Sequence, residues 1–277
     1  MTEVNVQDWI GREEVHEDYV ARAPVKRLSA MLDRPDDSTA KAIPPLGHWL
    51  NFLPEATQAQ LGPDGHPQRG GLIPPLPLPM RMAAGSRLTF HEPIPFGADV
   101  KRVSRIMNIV EKQGRTGPLA FLTYRYQVFN GATLCVTEEF DVVFREKSGN
   151  AGPMPPGERR EGKVSRTIKP ETPLLFRYSA LTFNGHKIHY DRDYARNEEG
   201  YPGLLVHGPL LATLLVDLFR RHRPNDTIKT FEFRAQRPVY DLAPFTVNLE
   251  DTPQGADVWA NDGDGYIAMA GRIGTGA

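Results

Sequence analysis

Apolar and polar residues alternate along two separate stretches of the chain. The first runs from Ser86 to Glu146 and divides into a short run at 87–90, followed by 100–112, 120–130 and 133–145. Alternation at every second position predicts strands with one buried face. The breaks hold Gly114 and Gly117, then Asn130-Gly131, a pair that favours a tight hairpin turn. The second stretch runs from Ile228 onward, with strands predicted over 230–235, 245–249, 258–261 and 266–273. Its turns hold Gln254-Gly255 and Gly263-Asp264-Gly265. Each stretch opens with a short strand ending at a proline-marked corner, Pro93-Ile94-Pro95 or Pro238-Val239-Tyr240, and three antiparallel strands follow.

A helix is predicted ahead of each stretch. Residues 209–221, PLLATLLVDLFRR, are apolar over most of a helical surface, which requires burial nearly all round. Gly208 precedes this helix, Pro209 fits its first position, and Arg220-Arg221 fit the negative end of its dipole. Residues 18–32 predict a shorter, more polar helix before the first stretch. The internal repeat is then one helix with one antiparallel sheet, twice over, an α+β chain. Between the first helix and its sheet lies an insertion, 36–85, containing IPPLGHWLNFLP and GPDGHPQRGGLIPPLPLPMRM. So many prolines and glycines exclude regular helix or strand there. Its Trp49, Phe52, Leu72, Ile73, Leu76 and Leu78 give it apolar surface to bury, so an ordered covering segment is expected. Residues 147–166 are polar and rich in glycine and proline, and read as an exposed linker. The expected division is an N-terminal half, 1–146, the linker, and a C-terminal half, 167–277.

Composition adds exclusions. The 277 residues carry 33 Lys and Arg against 34 Asp and Glu, a net charge of −1, so no global basic field invites nucleic acid. A single cysteine, Cys135, excludes a disulfide framework within the chain and fits a reducing compartment. Set in Thr133-Leu134-Cys135-Val136, it reads as a small buried hydrophobe rather than a nucleophile. No apolar run approaches the ~20 residues that span a bilayer. The acidic start MTEVNVQDWIGREEVHEDYV lacks the basic and apolar regions of a secretory signal. A soluble, cytoplasmic protein without membrane or nucleic-acid partners is expected.

Candidate chemistry is densest in 176–208, FRYSALTFNGHKIHYDRDYARNEEGYPGLLVHG. His186 and His189 lie three apart, flanked by Asn184 and Asp191, and His207 stands just before the apolar helix. Three imidazoles are a conceivable zinc set, but no cysteine lies near and the helical HExxH spacing is missing, so no metal is expected. The segment resembles the (R)-specific enoyl-CoA hydratase, or MaoC-like, pattern G-D-x-N-P-I-H, followed by A-H-G at the start of the hot-dog helix. His189 stands at the motif histidine, and Val206-His207-Gly208 stand at A-H-G. The type-two 3-hydroxyacyl-thioester dehydratase branch is the nearer likeness. It resembles this chain at YSALTFNGHKIHYD and YPGLLVHGPL and in the insertion at DGHPQRGGLIPPLPLPMRM. The resemblance implies a double hot-dog fold, two antiparallel sheets each wrapping a central helix, with the catalytic motif kept only in the C-terminal half.

The same resemblance implies a hydro-lyase that reversibly hydrates the α,β double bond of a short enoyl-CoA. Coenzyme A enters as part of the substrate, and no cofactor is required. Hydration needs a base for the water and a donor for the enolate-like thioester oxygen. His189 titrates near neutrality and suits the first task; an amide at Gly208, at the positive end of a buried helix, suits the second. Asn184 stands where the motif has an aspartate, and His186-Lys187 replace its Asn-Pro pair. An amide exchanges no proton at pH 7, so Asn184 is expected to hold the water through its oxygen, with His189 working alone or helped by His186 or Asp191. Asp191 could equally pair with Arg192 or Lys187 on a solvated face. His186, Tyr190 and His207 are the expected substrate contacts, although His207 also suits a role in shaping the turn before the helix.

The branch includes hydratases of five-carbon dicarboxylyl thioesters, mesaconyl-C4-CoA and itaconyl-CoA, which give citramalyl-CoA. Such a substrate needs a cation for its distal carboxylate: Arg81 or Arg234, with Arg69 and Arg87 as further candidates. The alternatives are a dehydratase of fatty-acid synthesis and a hot-dog thioesterase. Two fused halves already form a pseudo-dimer, so a monomer or a homodimer is expected.

Overall fold

All eight strands read from the alternation form, and two more join them. The computed structural model describes residues 5–114, 117–146 and 154–276. In chain order the elements are β1 (Glu13–Tyr19), α1 (Arg22–Met31), β2 (Met80–Phe90), β3 (Asp99–Gly114), β4 (Gly117–Asn130) and β5 (Thr133–Arg145). There follow β6 (Val164–Ile168), α2 (Thr172–Leu181), α3 (Arg192–Asn197), α4 (Gly208–His222), β7 (Ile228–Ala235), β8 (Phe245–Thr252), β9 (Gly255–Asn261) and β10 (Ile267–Thr275). The strands make one antiparallel sheet in the order β1-β3-β4-β5-β2-β7-β10-β9-β8-β6. Read inward from either edge, each half places its first, third, fourth, fifth and second strands in the same succession. The halves fuse where β2 pairs with β7, Gly85 opposite Arg234 through Thr89 opposite Thr230.

The two unforeseen strands, β1 and β6, are the sheet edges. An edge strand with little to bury shows no apolar alternation; β1 reads EEVHEDY, and its Val15 and Tyr19 are exposed. The helix expected over 18–32 therefore begins only at Arg22. Strand β6 takes in residues 164–166 of the expected linker, and residues 147–153 of that linker lie outside the described residues. Strand β2 begins at Met80, seven residues ahead of its expected start, because pairing with β5 recruits the weakly strand-forming Met80–Gly85.

The expected repeat of one central helix per half is corrected. Helix α1 corresponds by position to α2, since each follows the edge strand of its half, and the two pack on each other. Among the described residues, only the C-terminal half has a long helix. Helix α4 buries every residue from Leu210 to Phe219. Each fully buried Leu, Val or Phe contributes about 1.5–3 kcal/mol, which makes this helix the main apolar anchor of the fold. Pro209 lies in its first turn, and Arg220, Arg221 and His222 lie in its last. In the N-terminal half the insertion takes the corresponding place in the chain. Leu46 and Leu50 join the α4 core, while Leu72, Leu76 and Leu78 pack on Ile106, Leu122, Tyr124 and Phe144 of the N-terminal sheet. The expected covering segment is thus ordered and built into two cores. Cys135 is buried in β5, as its sequence context implied. Among the described residues, no helix is long and apolar enough to cross a membrane.

One buried carboxylate ties these parts together. Asp217 on α4 accepts from Arg34, which follows α1, from Arg166 of β6 at 3.0 Å and from Arg221 at 2.8 Å. Removing one partner of a buried charge cluster costs about 3–5 kcal/mol, less where the arginines are partly wet, as here. Asp217→Ala is expected to lower unfolding free energy by about 2–4 kcal/mol in urea titrations, whereas Arg125→Ala on the outer sheet face shifts it by no more than about 1 kcal/mol.

Candidate active site

Helix α2 is capped by Thr182, whose hydroxyl turns back to the Tyr178 carbonyl at 2.8 Å. The chain then reverses through Phe183, a non-glycine residue in the left-handed region at φ 48°. Asn184 closes the turn: its Oδ1 accepts from the His186 backbone N–H at 3.0 Å. The Tyr190 hydroxyl donates to the Gly185 carbonyl at 2.8 Å and braces the same turn. Lys187–His189 form one 3-10 turn, and Asp191 then accepts from the Tyr194 N–H at 2.9 Å to cap α3. This succession aims His189 inward.

His189 is fixed at both ends. Its Nδ1 lies 2.7 Å from the Leu205 carbonyl oxygen. A carbonyl only accepts, so Nδ1 carries the proton and Nε2 keeps its lone pair. Its ring stacks on His207, with centroids 3.7 Å apart and an interplanar angle of 19°. His207 bonds the Ser179 hydroxyl at 2.8 Å through Nε2, and its buried Nδ1 has no partner among the described residues.

The insertion closes over this turn. The Lys187 N–H donates to the Asp64 carbonyl at 2.9 Å. Gly65 and Gly185 press backbone to backbone; a Cβ on Gly65 would fall 2.0 Å from the Gly185 carbonyl, and one on Gly185 2.5 Å from the Gly65 carbonyl. Only glycine fits either position. The contact delivers two side chains that the sequence reading did not name. Asp64 Oδ2 lies 3.1 Å from His66 Nδ1, and the His66 ring lies 4.0 Å from that of His186. His186 in turn lies 5.6 Å, edge-on, from His189.

A cavity of about 900 Å³ opens beside these groups. His66, Ser179, Asn184, Gly185 and Tyr190 line it on the motif side; Trp49, Phe52, Phe176, Phe183 and Phe233 give it apolar walls; Arg102 and Tyr126 lie in its N-terminal wall. The wall is not formed by His189 itself, which is buried just behind this turn. Glu138, also in the wall, is fully engaged by Trp49 at 2.9 Å, Ser86 at 2.7 Å and His48 at 3.3 Å.

Burial sets the charge state of the imidazoles. It pushes His189 down to about 4, against the opposing pull of the Leu205 carbonyl, and pushes His66, His186 and His207 down as well. All four are neutral at pH 7. Asp64 is held below the usual carboxylate range: its own burial opposes this, but the bonds from His66 prevail.

The structure sorts the residues proposed from sequence. It brings His189, Asn184, His186, Tyr190 and Gly208 to one corner. Asn184 lines the cavity, and its oxygen already accepts from the His186 backbone N–H, which leaves one lone pair for a water. His207 is wholly buried behind His189, so it packs and orients rather than touching substrate. Asp191 caps a helix instead of helping His189 or pairing with Arg192, which binds Asp241. Arg234 is exposed on the outer sheet face, opposite in direction to the cavity-lining Phe233, and is removed as a substrate contact. Arg87 is taken by Asp141 and Glu139, and Arg69 by the carbonyls of Leu76, Leu78 and Pro79. Arg81 points to the same face as the cavity-lining Ala83, near Asp64. Among the described residues, Asp64, His66 and His186 are the group whose donor atoms, within 4.8 Å of one another, could hold a metal ion. The Asp64–His66 bond joins two of those donors to each other. Asp64 and His66 had one signal in the sequence, the DGH of the insertion string, and Arg102 had none.

Known proteins resemble this chain in sequence and in fold. Residues 46–241 match the family model described as hydroxyacyl-thioester dehydratase type 2. The chain is 46% identical to the mesaconyl-C(4)-CoA hydratase of Chloroflexus aurantiacus, over 99% of both chains. A MaoC-like dehydratase from Phytophthora capsici superposes with a TM-score of 0.73 at 14% identity, over 99% of both chains. A Mycobacterium tuberculosis protein described as having a double hotdog fold superposes with a TM-score of 0.60 at 12% identity, over 96% of both chains.

Two results are expected from the His189 environment. His189→Ala is expected to lower the hydration rate by about 10²–10⁴-fold through loss of the unprotonated Nε2 that would accept from the attacking water, with the melting temperature recorded beside it. Below its pKa the imidazole is protonated on Nε2 and accepts nothing, so activity is lost as pH falls through that value. The kcat/KM profile of the wild type is therefore expected to show no titration near 6.5 and an acid limb nearer 4.

Proposed function

The chain belongs to the hydroxyacyl-thioester dehydratase type 2 family and is a hydro-lyase of enoyl thioesters with a double hot-dog fold, and on that premise we propose that it hydrates a five-carbon dicarboxylyl-CoA. Mesaconyl-C4-CoA is the first candidate, itaconyl-CoA the second, and citramalyl-CoA the product. The observation that carries this reading is 46% identity, end to end, with a protein named for that substrate. The cavity supports it. Its volume exceeds what a five-carbon acyl group fills, leaving room for part of the pantetheine arm, and its apolar walls suit that arm. At the rim Phe176, Phe183 and Tyr190 are exposed, an aromatic surface suited to the thioester and its pantetheine arm.

The distal carboxylate is assigned to Arg102. Its guanidinium lies 5.0 Å from the centre of the Phe52 ring and 5.2 Å from that of Tyr126, and its buried Nε has no hydrogen-bond partner among the described residues. A carboxylate would supply that partner and neutralise a charge already disfavoured by burial. Arg81, beside Asp64, is the second candidate. The thioester oxygen is assigned to the Gly208 amide. This amide opens α4, where a helix leaves its first N–H groups without intrahelical acceptors. A Cβ on Gly208 would meet Ala83 at 4.0 Å and otherwise open space, so the missing side chain leaves that approach clear. With Nε2 unprotonated, His189 accepts a hydrogen bond from the attacking water. Every group named comes from one chain, so a monomer suffices for this chemistry.

The test offers mesaconyl-C4-CoA, itaconyl-CoA and crotonyl-CoA separately, following loss of the conjugated thioester absorbance and release of free thiol. Loss of absorbance on a dicarboxylyl thioester without thiol is the expected result. Reaction of crotonyl-CoA alone removes the dicarboxylate proposal, and thiol release points to a thioesterase. Arg102→Met is expected to lower kcat/KM for the dicarboxylyl substrate about 10–100-fold, the worth of one charge-assisted hydrogen bond, while leaving crotonyl-CoA hydration nearly unchanged.

A further inference from the structure

The motif carries a histidine without its acid. Asn184 stands where the carboxylate belongs, its Oδ1 already accepts from a backbone N–H, and Asp191 is spent on a helix cap. A neutral imidazole in a buried corner is a poor place to leave a proton unless a negative charge stands near. Among the described residues of this corner, one carboxylate faces the imidazoles, and it comes from the other half of the chain.

We propose that Asp64 and His66 of the insertion form the carboxylate–histidine pair of this active site and take over the proton transfer that the motif aspartate would perform beside His189. Four observations carry this. Asp64 holds His66 twice, through the backbone N–H at 3.0 Å and through Nδ1 at 3.1 Å. A carboxylate on Nδ1 fixes the proton there and leaves Nε2 as acceptor, the same tautomer that the Leu205 carbonyl imposes on His189. His66 forms part of the cavity wall, so it reaches the space a substrate would fill. The pair is locked to the motif by the Gly65–Gly185 contact and the Lys187 N–H to Asp64 carbonyl bond, so its placement is built into the fold.

The step rests on the hydro-lyase reading of the site. Water donates one hydrogen to each Nε2, of His66 and His189, which turns an oxygen lone pair toward Cβ. As the C–O bond forms, the π electrons move to Cα and the thioester oxygen, and the water's O–H bond to His66 breaks. His66 becomes an imidazolium stabilised by Asp64. It then returns the proton to Cα, forming the C–H bond and restoring the thioester carbonyl. No oxidant, reductant or second reactant is needed.

The experiment measures His66→Gln, His66→Ala and Asp64→Asn on whichever enoyl-CoA the wild type hydrates fastest, so a wrong acyl group does not obscure the outcome. Each variant is expected to lose kcat by about 10²-fold or more with KM little changed. Asn184→Asp, placed in the His66→Gln background, is expected to recover at least about tenfold of that loss by restoring a carboxylate to the motif. Melting temperatures separate loss of chemistry from loss of fold, and Asp64→Asn and His66→Gln keep the side-chain volume close to native. Wild-type kcat in both Asp64→Asn and His66→Gln overturns the proposal. A loss that Asn184→Asp leaves unrepaired in well-folded protein overturns it too. So does activity that dialysis against a chelator abolishes and zinc restores, since the same donors would then be metal ligands.

Discussion

Helix α4 has no polar face to offer water, and that single requirement organises the molecule. A helix apolar all round must be enclosed: strands β6, β8, β9 and β10 of its own half pack on it, and Leu28, Met31, Leu46 and Leu50 of the N-terminal half join the same core. The ten-stranded sheet fuses two five-stranded halves at β2 and β7. Among the described residues, the N-terminal half has no such helix of its own. Its share of the interior is filled by leucines of the insertion, which tie that segment to both cores. The asymmetry leaves one motif corner, at the end of α4 where its first amides point outward.

The corner is made by close backbone approaches more than by side chains. Two glycines touching, one carbonyl of Leu205 on His189 and one carbonyl of Asp64 on Lys187 set the relative positions of segments far apart in sequence. These contacts remove water, and removal of water keeps the four imidazoles neutral. A site built this way has acceptors ready at pH 7 but little capacity to hold a positive charge. That is why the position of the Asp64 charge matters to any proton transfer here.

Legibility in the sequence followed burial. Strands with one buried face announced themselves through alternation, and β5 was read to the residue. Strands β1 and β6, with little to bury, were hidden, and so was the opening of β2, whose Met-Arg-Met-Ala-Ala-Gly is made a strand by its partner. The polar helix over 18–32 was read too long for the same reason: its first residues belong to an edge strand. At the site, the motif resemblance named His189 and Gly208, and the fold brings both to one corner. His207 and Arg234 were misassigned because spacing along a chain does not say which face of a strand, or which side of a ring, looks at the substrate.

By itself, then, the sequence determined the repeating strand pattern, the buried helix, the ordered insertion and the class of reaction, since each is a local pattern of residue types. Tertiary structure alone decided which charged groups are free and which are spent. Arg69, Arg87 and Asp217 are equally polar on paper, and only folding shows them consumed by carbonyls, by carboxylates and by a knot of arginines. It alone brought His66 and Arg102 to the cavity, with Asp64 held on His66. The physical reason is that hydrogen bonding and desolvation depend on which atoms meet in space, and segments separated by more than a hundred residues meet here only after the sheet has closed.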